Sequence, residues 1–193
     1  MIRIFAALEI PDEIKNKIID FRKSIIAGND DFRWEPLEKI HLTLKFIGDI
    51  DDSKVPEILK SISFVENYQS FNFNLTRFGF FFNNNKPKIL WIGLSENERL
   101  ITLVNTLNSK LSEISIPVDK RKFKSHLTIL RIKNNFPQNL IDKFKNFNIP
   151  ETLFTSGKIS LVKSELLSKG SKHTTFKNFE LNPGRSGQNK MEE

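Results

Sequence analysis

Only three histidines occur in this chain, and each has a threonine two positions downstream. Two of them lie in near-identical strings, His41-Leu42-Thr43-Leu44 and His126-Leu127-Thr128-Ile129. Histidine is the side chain whose unperturbed pKa lets it give or take a proton near neutral pH. Side chains alternate across a strand, so each histidine shares a face with its threonine and the aliphatic residues take the other. Each string thus offers an imidazole and a hydroxyl, anchored by a buried aliphatic side. Two such units supply an acid, a base and two hydrogen-bond donors to one substrate.

Other chemistries fit less well. With no cysteine, thiolate catalysis, disulfides and a cysteine-ligated zinc are excluded. Neither histidine string carries His-x-x-x-His or a flanking acid at metal-ligand spacing. No nucleophile elbow is present, and eight scattered glycines form no phosphate loop before a helix. Paired acid–base catalysis remains. One imidazole accepts a proton from an attacking hydroxyl or water while the other, charged, protonates the leaving oxygen. The threonine hydroxyls would hold non-bridging phosphoryl oxygens where charge builds up. A phosphodiester needs this arrangement, with activity between two apparent pKa values around neutrality. The net charge of +7 favours a polyanionic partner, although a lysine-rich solvated surface explains it equally well.

The elements that must position the strings follow from periodicity. Ile2 to Ile10 reads as a strand, followed by a helix to about Ala27 with Pro11 and two acids at its start. Gly28 to Asp31 is a turn, Phe32 to Trp34 a short strand, Ile40 to Ile47 a better one. A helix spans Ser53 to Phe64. Phe71 to Leu75 alternates as a strand, Phe78 to Lys88 reads as a hairpin loop, and Lys88 to Leu94 returns. A helix over 97–114, a strand over 126–132, a helix over 139–147 and strands over 157–164 and 174–181 complete the order. Gly184 to Glu193 reads as a disordered tail, leaving 1–183 as a single domain. Repetition of the strings in two halves suggests a pseudo-symmetric, bilobal α+β domain. There is no long apolar run for a membrane span, and the N-terminal segment lacks the pattern of a secretory signal. A cytoplasmic protein is expected.

The chain resembles the 2H phosphoesterase superfamily, within it the RNA 2′,3′-cyclic phosphodiesterases once called 2′-5′ RNA ligases. The resemblance rests on residues 3–11, on Arg33-Trp34 leading to 41–48, on Pro87 to Gly93, on 122–131 and on Phe176 to Leu181. It implies two antiparallel sheets forming a central cleft, with helices outside and one His-x-Thr strand from each lobe. It implies metal-free, cofactor-free opening of a terminal 2′,3′-cyclic phosphate to a 2′-phosphate, reversible in principle as 2′-5′ ligation. His41 would be the proton donor and His126 the acceptor. Thr43 and Thr128 would bind phosphate oxygens, with Arg131 adding positive charge. The substrate would be an RNA end, such as a tRNA half, and the enzyme a monomer.

Two departures stand out. His173 stands where the family commonly has tyrosine, and its His-x-Thr match reads as coincidence because Thr174 is no apolar anchor, with base stacking or phosphate contact as the alternative. Lys120 to Lys124 is unusually basic, and Lys122 and Lys124 become candidate RNA-backbone contacts. Phe46 could stack on a base, although a strand phenylalanine is more often core. Two other readings stay open: a 2H enzyme acting on a cyclic nucleotide, 2′-5′ oligoadenylate or ADP-ribose cyclic phosphate, and a non-catalytic RNA-binding module.

Overall fold

The computed structural model describes residues 1–26, 32–133, 135–168 and 170–183. Among the described residues, eight strands and four α-helices follow in this order: β1 (Ile2–Glu9), α1 (Asp12–Ile25), β2 (His41–Ile50), α2 (Val55–Ile62), β3 (Phe71–Asn83), β4 (Lys86–Leu94), α3 (Glu98–Glu113), β5 (His126–Arg131), α4 (Gln138–Asn146), β6 (Leu153–Ser156), β7 (Lys158–Leu167) and β8 (Gly170–Glu180). The fold is α+β with antiparallel pairing throughout its named strands.

The strands lie in the order β6-β3-β4-β5-β2-β1-β7-β8. The two sheets expected from sequence are joined at the middle of this order, where one pair, Leu42 with Leu127, links β2 to β5. The order reads alike in both directions from that seam. The unit β1-α1-β2-α2 is answered by β4-α3-β5-α4. β3 follows the first unit but pairs with β4, whereas β6 and β7 follow the second and β7 pairs with β1. Each half therefore completes the other, and no cut in the sequence would separate two complete sheets.

Helix starts follow the chain's local chemistry. Asp12 and Glu13 occupy the first turn of α1, after Pro11. The Asn97 side chain accepts from the Leu100 N–H and caps α3. Ile14 and Ile18 of α1, Ile58 and Ile62 of α2, Leu103 and Leu107 of α3 and Phe144 of α4 enter one buried cluster with Ile4, Leu8, Leu42 and Leu127. Burying each such side chain contributes roughly 1.5–3 kcal/mol, which fixes the strand register beneath the helices. Phe5, Ala7 and Val162 form a separate small cluster. In β1, Phe5 and Ala7 alternate with Ile4 and Leu8, so this cluster marks the opposite face of the sheet.

Several expectations are corrected. Phe78 to Lys88 is not a loop: β3 runs through to Asn83 and β4 starts at Lys86. The turn is only Asn84-Asn85, both at positive φ (48° and 59°), which asparagine tolerates and a tight hairpin demands. Phe32 to Trp34 forms only an isolated bridge, Trp34 to Leu130. The edge strand β6 has only four residues, too few for a period-two pattern to stand out in the sequence. The turn at 28–31 and the tail at 184–193 lie outside the described residues. No helix among the described residues is long and apolar enough to cross a membrane.

Candidate active site

The seam pair Leu42–Leu127 faces the core, both side chains fully buried. Alternation therefore turns His41, Thr43, His126 and Thr128 to the opposite face. Extending the antiparallel register one residue from the seam sets His41 across from Thr128 and His126 across from Thr43. The two strings thus converge on one place. All four side chains are partly buried, and neither threonine hydroxyl has a hydrogen-bond partner among the described residues.

Beyond the threonines, both strands break alternation in the same way. In β2, Ala7 pairs with Thr43 and Ala6 with Lys45, so Leu44 is skipped. In β5, Trp91 pairs with Thr128 and Leu90 with Leu130, so Ile129 is skipped. Each bulge buries two successive residues and returns the next to the site face. Residues 41–46 and 126–131 consequently share one burial pattern, ending in exposed Phe46 and Arg131. Strict alternation would have turned both away. Phe46 is 55% exposed beside Phe5, so it is not a core residue. Arg131 donates from Nε to Glu35 at 2.9 Å, and its charge lowers the proton affinity of all three histidines.

The two imidazoles have different surroundings. His41 stacks on Phe5 with ring centroids 4.9 Å apart and planes 22° from parallel, and has no hydrogen-bond partner among the described residues. Burial pushes its pKa down to about 3, helped by His173, Lys15 and Arg131. His126 makes T-shaped ring contacts with Phe81 and Trp91, centroids 4.9 Å and 6.3 Å away. Its Nδ1 lies 2.8 Å from the Lys124 carbonyl. A carbonyl only accepts, so Nδ1 carries the hydrogen and the neutral ring leaves Nε2 free to take a proton. Burial holds His126 below the ordinary imidazole value, the Lys124 carbonyl opposes this, and the Lys124 and Arg131 charges add to it.

His173, whose His-x-Thr match reads as coincidence from sequence, stands in the site. In β8 it pairs with Ser164 and lies 5.6 Å from His41 and 5.1 Å edge-on from Phe5, centroid to centroid. Its His-x-Thr string has no apolar anchor, but its imidazole belongs to the site. Phe5 and Glu35 carry no site signal in the sequence, whereas Phe81 lies in the 78–82 aromatic run that reads as either a cleft flank or a plain hydrophobic hairpin. Nothing in the sequence places Phe5 under His41, because that contact depends on the β1–β2 register. Lys124 is exposed, with Nζ 5.7 Å over the Phe81 ring. Lys122 is exposed in the loop before β5. No group of three or more side chains able to hold a metal ion is found among the described residues.

The model of the family described as LigT-like phosphoesterases matches twice, over residues 8–91 and 92–173, once for each half. The chain belongs to this family. The paired matches agree with the symmetry of the strand order about the seam. An RNA 2′,3′-cyclic phosphodiesterase of Thermotoga maritima is 28% identical over 183 residues, covering 87% of this chain and 96% of the relative. One of Archaeoglobus fulgidus is 30% identical, covering 77% and 84%. Among solved structures, the Thermus thermophilus protein TT0787 superposes with a TM-score of 0.78 at 23% identity, covering 94% of this chain and 98% of the other. Escherichia coli LigT complexed with 3′-AMP gives 0.73 at 23% identity, covering 93% and 98%. These two structures share the fold.

Proposed function

We propose that this chain hydrolyses RNA 2′,3′-cyclic phosphate ends to 2′-phosphomonoesters by paired-imidazole acid–base catalysis, without a metal or cofactor. The observation that carries this reading is the convergence of His41, Thr43, His126 and Thr128 about the Leu42–Leu127 pair. The relatives' names supply the substrate class.

In the proposed step, Nε2 of His126 takes a proton from water as the water oxygen bonds to phosphorus. The P–O3′ bond breaks, and His41, as imidazolium, gives its proton to O3′. The product is a 2′-phosphate with a free 3′-hydroxyl. Thr43, Thr128 and Arg131 hold the non-bridging oxygens, where negative charge grows. The buried site disfavours the imidazolium of His41 in the free enzyme, so the anionic phosphodiester must itself stabilise it. Phe46 offers a stacking surface for a base, and Lys122 and Lys124 lie on the approach to β5 for backbone phosphates. A monomeric, cytoplasmic enzyme acting on ends such as tRNA halves fits this reading.

The test is incubation of a 2′,3′-cyclic-phosphate oligonucleotide with the protein in EDTA, with the product phosphate located. Ring opening to a 2′-phosphate is expected. Release of a 3′-phosphate, or loss of activity in EDTA, would overturn the mechanism.

A further inference from the structure

A recess of about 440 Å³ opens beside His41 on the β1–β8 side of the site. Glu9, Asp12, Lys15, Glu38, Val162 and His173 are among the residues that line it. Lys15 is 6% exposed and its Nζ is held 3.0 Å from Asp12 Oδ1. The carboxylates of Glu9 and Glu38 have no hydrogen-bond or ion-pair partner among the described residues. We propose that this recess receives the 3′-terminal nucleoside of the substrate and favours guanine there. The inference rests on the function proposed above.

Position comes first. His41 protonates O3′, so the ribose that carries O3′ must lie on the His41 side of the phosphorus. The recess begins at that imidazole and is large enough for a small ligand. Charge comes second. Three carboxylates meet one ammonium in the lining, so the recess repels phosphate, while Arg131 and Lys124 lie on the β5 side. The sugar–phosphate backbone is therefore directed away from it, and the uncharged end of the RNA is what it can hold. His173, edge-on to Phe5, and Val162 supply flat and apolar surface against which a base can pack.

Hydrogen bonding gives the choice of base. An ionised carboxylate only accepts. Guanine presents N1–H and an N2 amino hydrogen side by side, matching the two oxygens of one carboxylate. Adenine and cytosine each present one amino group, and the single N3–H of uracil is flanked by two carbonyls that a carboxylate repels. A bidentate contact to a base discriminates by about tenfold or more.

The experiment uses four oligonucleotides identical except for the terminal base, each with a 2′,3′-cyclic phosphate. The readout is the ratio of kcat/KM for the guanosine end to that for the uridine end, which is independent of the folded fraction of any variant. A ratio of about ten or more is expected for the wild type, falling toward one in the double variant Glu9→Gln, Glu38→Gln. A wild-type ratio near one, or an unchanged ratio in the double variant, overturns the subsite. If none of the four ends is opened, the proposed function fails instead.

Discussion

The Nδ1 atom of His126 lies 2.8 Å from the carbonyl oxygen of Lys124, two residues earlier in the same chain. The contact fixes which nitrogen bears the hydrogen and so leaves Nε2 as the acceptor. His41, stacked on Phe5 with no such partner among the described residues, is free to present either ring nitrogen. The near-identical strings therefore differ in proton chemistry, a distinction the two short motifs do not contain.

The first prediction concerns pH. Burial holds both imidazoles below 6.5, His41 at about 3. Values of kcat/KM report the free enzyme, so both limbs of that profile should lie below pH 6.5, acid of the neutral range expected from motif chemistry alone. A bound phosphodiester favours the His41 imidazolium, so the kcat profile should shift toward higher pH. Steady-state kinetics from pH 4 to 9 check this. A kcat/KM maximum above pH 7.5 would contradict the buried site.

Arg131 is placed by the bulge at Ile129. Replacing it with methionine should lower kcat/KM by roughly 10- to 100-fold, the worth of a charge-assisted hydrogen bond at about 1.5–3 kcal/mol. Glu35→Gln removes the negative charge that lies 2.9 Å from the Arg131 guanidinium. Because Arg131 is 61% exposed, stability should change by less than about 1 kcal/mol, while inorganic phosphate should inhibit a few-fold more tightly. Thermal unfolding measures the first effect and competitive inhibition constants the second.

Gly79 lets the Trp91 ring lie flat on β3. A Cβ built at Gly79 would clash with Cζ2 of the Trp91 ring. Gly79→Ala should therefore push the indole toward His126 and destabilise the fold by about 1–3 kcal/mol. Thermal unfolding should show a lower Tm, and activity at a temperature where the variant is folded should fall. An unchanged Tm would mean that the ring moves aside freely.

Lys45 is 3% exposed, and its Nζ donates to the Pro117 carbonyl at 2.6 Å. That bond ties the loop carrying Lys122 and Lys124 to β2. Lys45→Met keeps the stem but strands the carbonyl, at about 1–3 kcal/mol. For a chain of this size, Tm should drop by about 2–4 °C per kcal/mol. Differential scanning calorimetry gives the answer directly.

Much of this was legible in the sequence because it depends on local pattern. The helices over 12–25 and 98–113 follow from apolar spacing and from Asp12 and Asn97 at their starts. The facing of His41 with Thr43, and of His126 with Thr128, follows from alternation alone. What failed was set by pairing between distant strands. Alternation counted from His41 turns Phe46 inward, and only the bulge at Leu44 brings it out beside Phe5. The same holds for Arg131 and Ile129. His173 enters the site because β8 pairs with β7, and β7 with β1. Those two pairings leave no mark on the residues around His173.

The most direct measurement separates the acid from the base. A 2′,3′-cyclic substrate with sulfur in place of O3′ expels a thiolate, which needs no protonation to leave. With the ordinary oxygen substrate, His41→Ala and His126→Ala should each lose at least ~10²-fold in kcat. With the sulfur substrate, His41→Ala should regain most of that loss while His126→Ala stays impaired. An equal response of the two variants, or full activity in either with the oxygen substrate, would contradict the assignment of His41 as acid and His126 as base.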